Sequence, residues 1–150
     1  MTSESKFESR RRARRRALQA LYQWHLTGQD ASQILIQFHE EQDFSNVDDE
    51  LFTRLVNRIC AGQKDIDEKI TPFLDRPLSQ LDVIEHVILS IGAYELLHTI
   101  EVPHQVVIDE AVNLAKQFGA EQGHSYIIGV LDKAAQQWRD TATLSPLNPT

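Results

Sequence analysis

Six arginines in seven consecutive positions are the most distinctive chemical feature of the sequence. They occupy residues 10–16 and are interrupted only by Ala13. Guanidinium groups make forked hydrogen bonds to phosphates and stack on exposed bases, so the run favours binding of RNA or DNA. Two other interpretations remain open, namely a nuclear or mitochondrial targeting signal and a merely solvated helix face.

A helix through this arginine run is electrostatically unfavourable in isolation. Like charges at four-residue spacing form three pairs within residues 10–16, and each pair costs roughly 0.2–0.5 kcal/mol. Cations also oppose the dipole at a helix N-terminus. We therefore expect the run to fray without a bound anion, and residues 1–9 to form a flexible N-terminus.

Charge is distributed unevenly along the chain. Residues 1–16 carry seven basic and two acidic side chains, a net charge of +5, whereas the remaining residues carry eight basic and twenty acidic ones, a net charge of −12. A basic arm on an acidic body is typical of a protein that binds a polyanion at one place and not over its whole surface.

Size and composition indicate one compact domain in a reducing compartment. The chain has 150 residues, of which 41% are hydrophobic, and a single cysteine, so an intramolecular disulfide is excluded. The longest apolar stretch, residues 83–97, is too polar to span a bilayer, and no secretory signal is predicted. We expect a cytoplasmic protein with no membrane segment.

No motif for catalysis or metal binding is present in the sequence. The signatures of zinc proteases, P-loop proteins and serine hydrolases are absent. Cys60 lies on an apolar helical stripe, which favours core packing over a role as nucleophile. The scattered histidines and the acidic residues at 65–68 lack the spacing of a metal site. We expect no active site, no cofactor and no metal.

Apolar residues recur every three or four positions, which predicts an all-α fold of six or seven helices. The sequence also suggests where each helix begins and ends. The expected elements are a helix over 8–27, a shorter one from Asp30 or Ser32 to about Asp43, one from Asp48 to Pro72, a central buried helix after a Ser79–Asp82 capping box, one opened by Pro103, and a last one with a core stripe through Trp138, followed by a flexible tail at 140–150.

Two tyrosines lie off the apolar faces of their predicted helices. Tyr126 lies about 115° from the centre of the last apolar stripe, and Gly129 leaves the adjacent surface open. An exposed ring there would stack on a base, and packing on a neighbouring helix is the alternative. Tyr22 is a candidate for a partner contact, with packing as an equally good interpretation.

Several short motifs follow one another in a specific order. They are the arginine run leading into ALQALY (17–22), IGAYEL (91–96), Val102-Pro103, EAVNLAKQFG (110–119) and GVLDK (129–133). This order resembles the NusB family of bacterial transcription antitermination proteins. The resemblance covers about residues 10–139, which we therefore interpret as a NusB-like helical RNA-binding domain.

The resemblance implies two three-helix bundles and a defined set of partners. It implies binding of single-stranded boxA RNA from ribosomal RNA transcripts together with NusE, a ribosomal protein of the small subunit, within an antitermination complex on RNA polymerase. By position, the implied RNA contacts are Arg10, Arg11, Arg12, Arg14, Arg15, Lys116, Gln122 and Tyr126. The implied NusE contacts are Tyr22 and Glu85.

Three positions depart from the family pattern. Asp109 and Ile128 replace residues that are usually asparagine, and Ser125 replaces a frequent lysine. The changes at 125 and 128 remove a cation and an amide beside Tyr126, which weakens the expected base contact. The additional arginines at 15 and 16 are candidates for compensation.

Two other functions compete with RNA binding in antitermination. Similar helical domains occur in ribosomal RNA cytosine methyltransferases, but 150 residues leave no room for a methyl-donor domain, so we expect no enzyme. The second alternative is a protein-interaction adaptor whose basic arm binds an acidic protein. RNA binding in moderate salt distinguishes the adaptor from an RNA-binding protein.

Overall fold

A computed structural model describes residues 3–119 and 123–140. Within these residues the secondary structure is helical, without a β-strand. The predicted all-α fold is confirmed, because the regular apolar spacing gives the helices buried faces. The α-helices are α1 (Ser3–Thr27), α2 (Ala31–Glu41), α3 (Asp49–Ile70), α4 (Val83–His98), α5 (His104–Gln117) and α6 (His124–Ala135).

The first helix is longer than predicted at its N-terminal end. It begins at Ser3 and not at residue 8, so residues 3–9, which we expected to be flexible, are helical; their degree of motion stays a prediction. At the other end, Gly28 has a φ of +71°, and its N–H donates to the Trp24 carbonyl at 2.9 Å. This left-handed termination is one that glycine permits, and it confirms the predicted end of the helix.

The second and third helices begin and end close to the predicted positions. Asp30 precedes α2 in an extended conformation, although its side chain makes no capping hydrogen bond. Asp48 caps α3 by accepting a backbone N–H from the first turn at 3.0 Å. The α3 backbone leaves helical geometry at Gly62 (φ −116°, ψ 19°). The helix ends before Pro72, as expected.

The capping box before α4 lies three residues later than predicted. Asp82 is the N-cap: its carboxylate accepts the Glu85 N–H at 2.8 Å, and the Glu85 carboxylate accepts the Asp82 N–H at 3.4 Å. The predicted Ser79–Asp82 box was wrong, because Ser79 belongs to a 3₁₀ turn, Leu78–Gln80, and Leu81 after it is extended (φ −77°, ψ 140°). Helical geometry therefore begins only beyond Asp82.

The chain divides into two compact units, Met1–Gln63 and Lys64–Thr150. The division follows directly after the helix break at Gly62. In the first unit α1 packs against α2, and in the second unit α4, α5 and α6 pack against one another. The α4 helix forms the centre of the second unit, because residues 87–96 are all buried, as the apolar residues on more than one of its faces predicted.

Beyond α6 the chain forms a π-helical turn, Gln136–Asp140, that buries Arg139. The Arg139 side chain donates to four backbone carbonyls at the end of α4 and in the turn after it. Near a helix C-terminus the last carbonyls lack intrahelical donors, although the Glu95 and Thr99 carbonyls also accept a backbone N–H here. Arg139 thus acts as a side-chain cap for another helix. The four acceptors are the carbonyls of Glu95, Leu96, Thr99 and Val102.

Trp138 was predicted to be the last residue of the core stripe in α6, but the structure places it differently. The indole is half-buried and meets the ring of Phe73 edge-on, with the centroids 5.7 Å apart. The π-helical turn interrupts the regular 3.6-residue period after Ala135. Because of this change, Arg139 and not Trp138 becomes the buried residue of this turn.

Candidate nucleic-acid interface

Two of the arginines in α1 donate hydrogen bonds to the loop at residues 42–48, between α2 and α3. Arg16 Nη1 donates to the Asp43 carbonyl at 3.0 Å, and Arg12 Nη1 donates to the Asn46 carbonyl at 3.3 Å. These two side chains lie four residues apart and repel each other. The loop carbonyls provide the negative partial charges that offset this repulsion.

Further contacts hold the same loop against α1. The Asp48 N–H donates to the Ser9 carbonyl at 3.0 Å, and the Asp48 carboxylate lies 3.7 Å from Arg10 Nε. The Arg16 guanidinium lies over the Phe44 ring, 5.1 Å from its centroid. The arginine run, which we expected to fray, is therefore helical, because a loop distant in sequence supplies partners for its charges.

The remaining arginines of the run point in other directions around α1. Arg11 and Arg15 are half-buried, and Arg11 lies over the Phe7 ring at 5.0 Å. On a helix this pair is rotated by about 100° from the loop-facing pair Arg12 and Arg16. Arg14 is only 3% exposed, so its position does not support the RNA contact predicted for it.

An open groove of about 580 Å³ lies between the first turns of α1 and the 42–48 loop. Lys6 and Arg12 line it together with serine hydroxyls and Asn46, whereas Asp48 and Asp49 add negative charge. The volume lies within the usual range for small-molecule sites. The groove therefore has room for a nucleotide-sized group beside the arginine run.

In the second unit, Tyr126 belongs to a cluster with Asp75 and Arg76. The Arg76 guanidinium carbon lies 4.2 Å from the centroid of the Tyr126 ring, well within cation–π distance. Arg76 Nε donates to the Asp75 carboxylate at 2.8 Å, and the Asp75 N–H donates to the Tyr126 hydroxyl at 3.4 Å. Arg76 therefore covers one face of the half-buried ring.

The protonation states in this cluster follow from its contacts. The hydrogen bond from Arg76 lowers the pKa of Asp75 and raises the pKa of Arg76 in return. Burial raises the pKa of the Tyr126 hydroxyl. At neutral pH the cluster therefore contains a carboxylate, a guanidinium and a neutral phenol.

Glu85, the predicted partner contact, lies at the N-terminal ends of two helices. Its carboxylate closes the capping box with Asp82, and a Cβ placed on Gly123, the N-cap of α6, would clash with a carboxylate oxygen of Glu85. Negative charge is favourable at helix N-termini. Glu85 therefore has a structural role in addition to any contact with a partner.

The other predicted contacts are spread over both units. Tyr22 is 38% exposed on α1, and Lys116 is exposed in the last turn of α5. Gln122 lies outside the described residues. Beside Tyr126, Ser125 is exposed and Ile128 is half-buried. A Cβ at Gly129 would meet no atom within 4 Å apart from its chain neighbours and the backbone of its own helix, in agreement with the predicted open surface.

Metal ligation and thiol chemistry receive no support from the described residues. Within residues 3–119 and 123–140, no three histidine, cysteine or acidic side chains are grouped in a way that suits a metal ion. Burial raises the pKa of the Cys60 thiol to about 11, which leaves little of the reactive thiolate at neutral pH. Across the same described segments, no helix combines the length and apolar character needed to cross a bilayer.

Arg76, which contacts Tyr126 in the structure, was not predicted from the sequence. Arg76 is an isolated basic residue between two 3₁₀ turns, so it has no neighbours that would mark it as part of a basic patch. The available signal was its position before Pro77, since a residue before proline is confined to extended conformations. The restricted backbone limits the direction of the Cα–Cβ bond, and the contacts with Asp75 and Tyr126 hold the rest of the side chain.

Comparisons with known proteins agree on one family. The family model for the NusB family matches residues 11–136. Transcription antitermination protein NusB of Xanthomonas axonopodis pv. citri is 47% identical over 130 residues, which is 87% of this chain and 82% of that protein. The corresponding protein of Xanthomonas oryzae pv. oryzae is also 47% identical over 130 residues, covering 87% of this chain and 83% of its own length.

A solved structure of T. maritima NusB is similar in fold. It superposes with a TM-score of 0.72 at 29% sequence identity, and the match covers 84% of this chain and 89% of the T. maritima chain. The family match, the identity to curated relatives and the shared fold all extend over most of the residues described above. The chain belongs to the NusB family of transcription antitermination proteins.

Proposed function

We propose that this chain binds boxA RNA of ribosomal RNA transcripts as a heterodimer with ribosomal protein NusE. In this role it is a non-catalytic component of an antitermination complex on RNA polymerase and acts in the cytoplasm. Its membership of the NusB family and the charge on α1 support this function over that of an adaptor for an acidic protein.

The observation that carries the proposal is the arginine run on a folded helix. Arg10, Arg12 and Arg16 have their guanidinium groups held against the 42–48 loop, and Arg11 and Arg15 lie on a separate face. Residues 1–16 have a net charge of +5. Arginines held in this way are suited to the phosphates of a single-stranded RNA.

The acidic remainder of the chain is the reason for including a partner. Beyond residue 16 the net charge is −12, which repels an RNA backbone that extends past the arginine run, most strongly at low salt. A basic partner on the acidic surface would reduce this repulsion. Charge complementarity of this kind mainly accelerates association.

A titration of boxA RNA with and without NusE tests the proposed function. We expect the purified chain to bind a boxA oligonucleotide weakly in moderate salt and markedly more tightly when NusE is saturating. An oligonucleotide of the same composition in scrambled order is the control. Equal affinity with and without NusE would contradict the heterodimer mechanism, and absence of RNA binding in both cases would favour the adaptor.

Variants of Tyr126 test whether its aromatic ring contributes to the stacking of an RNA base. We expect Tyr126→Phe to bind boxA RNA nearly as well as the wild type, because the hydroxyl accepts only a long hydrogen bond from Asp75 (3.4 Å). Tyr126→Ala should bind at least several-fold more weakly, because it removes the ring that underlies the proposed base-stacking site, and stacking contributes roughly 1–3 kcal/mol per base. Fluorescence anisotropy measures both affinities. Equal binding by the alanine variant and the wild type would assign Tyr126 to packing alone.

Glu85 variants test the proposed contact with NusE. Because Glu85 also closes a capping box, reversal to lysine would remove a cap worth about 1 kcal/mol as well as the charge. We therefore expect Glu85→Gln, which keeps an acceptor oxygen for the capping box, to weaken NusE binding with only the small loss of stability, about 0.3–1 kcal/mol, that follows from removing a charge at a helix N-terminus. Glu85→Lys should weaken it further, without reducing the weak RNA binding of the chain alone.

Isothermal titration calorimetry with NusE measures this effect. Glu68→Lys is the matched control, because Glu68 is an exposed acidic residue on α3 with no assigned role in the interface. Weaker NusE binding by Glu68→Lys and Glu85→Lys alike would indicate a general effect of net charge. Wild-type NusE binding by Glu85→Gln would remove the Glu85 charge from the proposed interface.

A further inference from the structure

Arg76 is held on a short segment with little conformational freedom. The segment lies between the 3₁₀ turns Thr71–Phe73 and Leu78–Gln80. Pro72 lies in the first turn, and Pro77 directly follows Arg76. A residue before proline is restricted to extended backbone conformations. The direction in which the Arg76 side chain leaves the segment is therefore limited by the sequence itself.

The guanidinium of Arg76 is fixed from two sides. The guanidinium carbon lies over the Tyr126 ring, 4.2 Å from the centroid, and Nε donates to the Asp75 carboxylate at 2.8 Å. The side chain nevertheless remains 39% exposed. The side of the guanidinium away from the Tyr126 ring is therefore the accessible side, and a planar guanidinium is a surface on which a base can stack.

Charge at this position favours a base over a phosphate. The Asp75 carboxylate pairs directly with Arg76, and Glu85 is close enough to act on the same guanidinium. The pairing with Asp75 already neutralises the guanidinium charge locally, which leaves little positive charge to attract a phosphate. Stacking of a base on a guanidinium plane requires the flat surface and tolerates the neighbouring carboxylates.

We propose that Arg76, and not Tyr126, makes the direct stacking contact with a base of single-stranded RNA. Tyr126 is then a positioning residue beneath it, and the arrangement is a three-layer stack of base, guanidinium and phenol ring. Asp75 restrains the orientation of the guanidinium through the hydrogen bond that it accepts from Arg76 Nε. This assignment rests on the proposed RNA-binding function and specifies which side chain of the second unit contacts RNA.

Variants of Arg76 separate a stacking contact from a phosphate contact. We expect Arg76→Ala to bind a boxA oligonucleotide about fivefold more weakly or worse, with an unchanged dependence of log affinity on log salt. Arg76→Lys should lose a similar amount, because lysine keeps the charge but has no planar face. Arg58→Ala is the matched control, since Arg58 is an exposed arginine on α3 outside the proposed site, and it should bind like the wild type.

The double variant Arg76→Ala/Tyr126→Ala tests the positioning role. If Tyr126 acts through Arg76, the double variant should bind RNA no more weakly than the single variant with the lower affinity. If the two side chains made independent contacts, the two fold-losses in affinity would multiply. Thermal melting monitored by circular dichroism should give similar midpoints for the wild type and both single variants. A loss of binding that simply followed a loss of folding would overturn the inference.

The possible failures are distinguishable. Wild-type affinity in Arg76→Ala, or tighter binding because the Tyr126 ring is uncovered, would overturn the assignment of Arg76 while leaving RNA binding intact. Retained binding in Arg76→Lys together with a flatter salt dependence in Arg76→Ala would replace the stack by a phosphate contact. If the wild type fails to bind boxA RNA both alone and with NusE, the proposed function fails as well.

Discussion

Replacing Arg11, Arg12 and Arg15 by alanine should weaken binding to boxA RNA more than tenfold and flatten its salt dependence. Each phosphate contact to single-stranded RNA contributes about −0.7 to the slope of log affinity against log salt, so losing three should make the slope less negative by about 2. Fluorescence anisotropy at several salt concentrations, between about 50 and 200 mM, measures both quantities.

A charge-matched control is available on α3. The triple variant Arg54→Ala, Arg58→Ala and Lys64→Ala removes the same number of cations outside the arginine run, and we expect it to keep the wild-type slope. Since Arg12 also donates to the Asn46 carbonyl, circular dichroism must show that the first variant remains helical. An unchanged slope in the folded variant would mean that RNA binds elsewhere on the protein.

Arg139→Ala should destabilise the protein by about 3 kcal/mol or more. Arg139 is 9% exposed and donates to four backbone carbonyls around the end of α4. A buried acceptor that loses its donor costs about 1–3 kcal/mol. The Leu96 and Val102 carbonyls lose the Arg139 donor, whereas the Glu95 and Thr99 carbonyls keep a backbone N–H. The α4 helix is the centre of the second unit, so the loss should affect global unfolding.

Urea denaturation measures this change as a lower midpoint at an unchanged slope of free energy against denaturant. Arg139→Lys should lie between the wild type and the alanine variant, because an ammonium reaches fewer carbonyls than a guanidinium. Below the transition, Arg139→Ala should bind RNA like the wild type. A destabilisation below about 0.5 kcal/mol, the usual range for a surface substitution, would contradict the capping role.

The helices and the central position of α4 could be predicted because they depend on local sequence. Apolar spacing, Gly28 and Pro72 each act over one or two turns, and their positions agree with the structure. The predicted Ser79–Asp82 capping box was wrong because Leu81 is extended, so that the helix begins only after Asp82. Local patterns therefore predicted the presence of the helices better than their first residues.

Features that depend on contacts distant in sequence could not be predicted in the same way. Arg139 caps a helix more than forty positions earlier in the chain, and Arg76 meets Tyr126 only in the fold. Burial of Arg14 inside a run of otherwise accessible arginines is a further example. A count of charges treats these arginines alike, whereas packing gives each a different environment.

The contacts between the arginine run and the 42–48 loop also affect the entropy of RNA binding. A flexible arginine arm would lose backbone and side-chain freedom when RNA orders it, at about 1–2 kcal/mol per residue for the backbone alone. In this chain the backbone of the run is helical, and Arg12 and Arg16 are restrained by the Asp43 and Asn46 carbonyls.

Most of that entropic cost is incurred when the chain folds, before RNA arrives. A pre-organised surface of this kind converts more of its contact energy into affinity. The position of the arginine run is also tied to the packing of the rest of α1. Ala17, Leu18 and Leu21 are buried on the same helix that presents the arginines. The geometry available to the RNA therefore depends on the apolar packing of the α1 residues that follow the run.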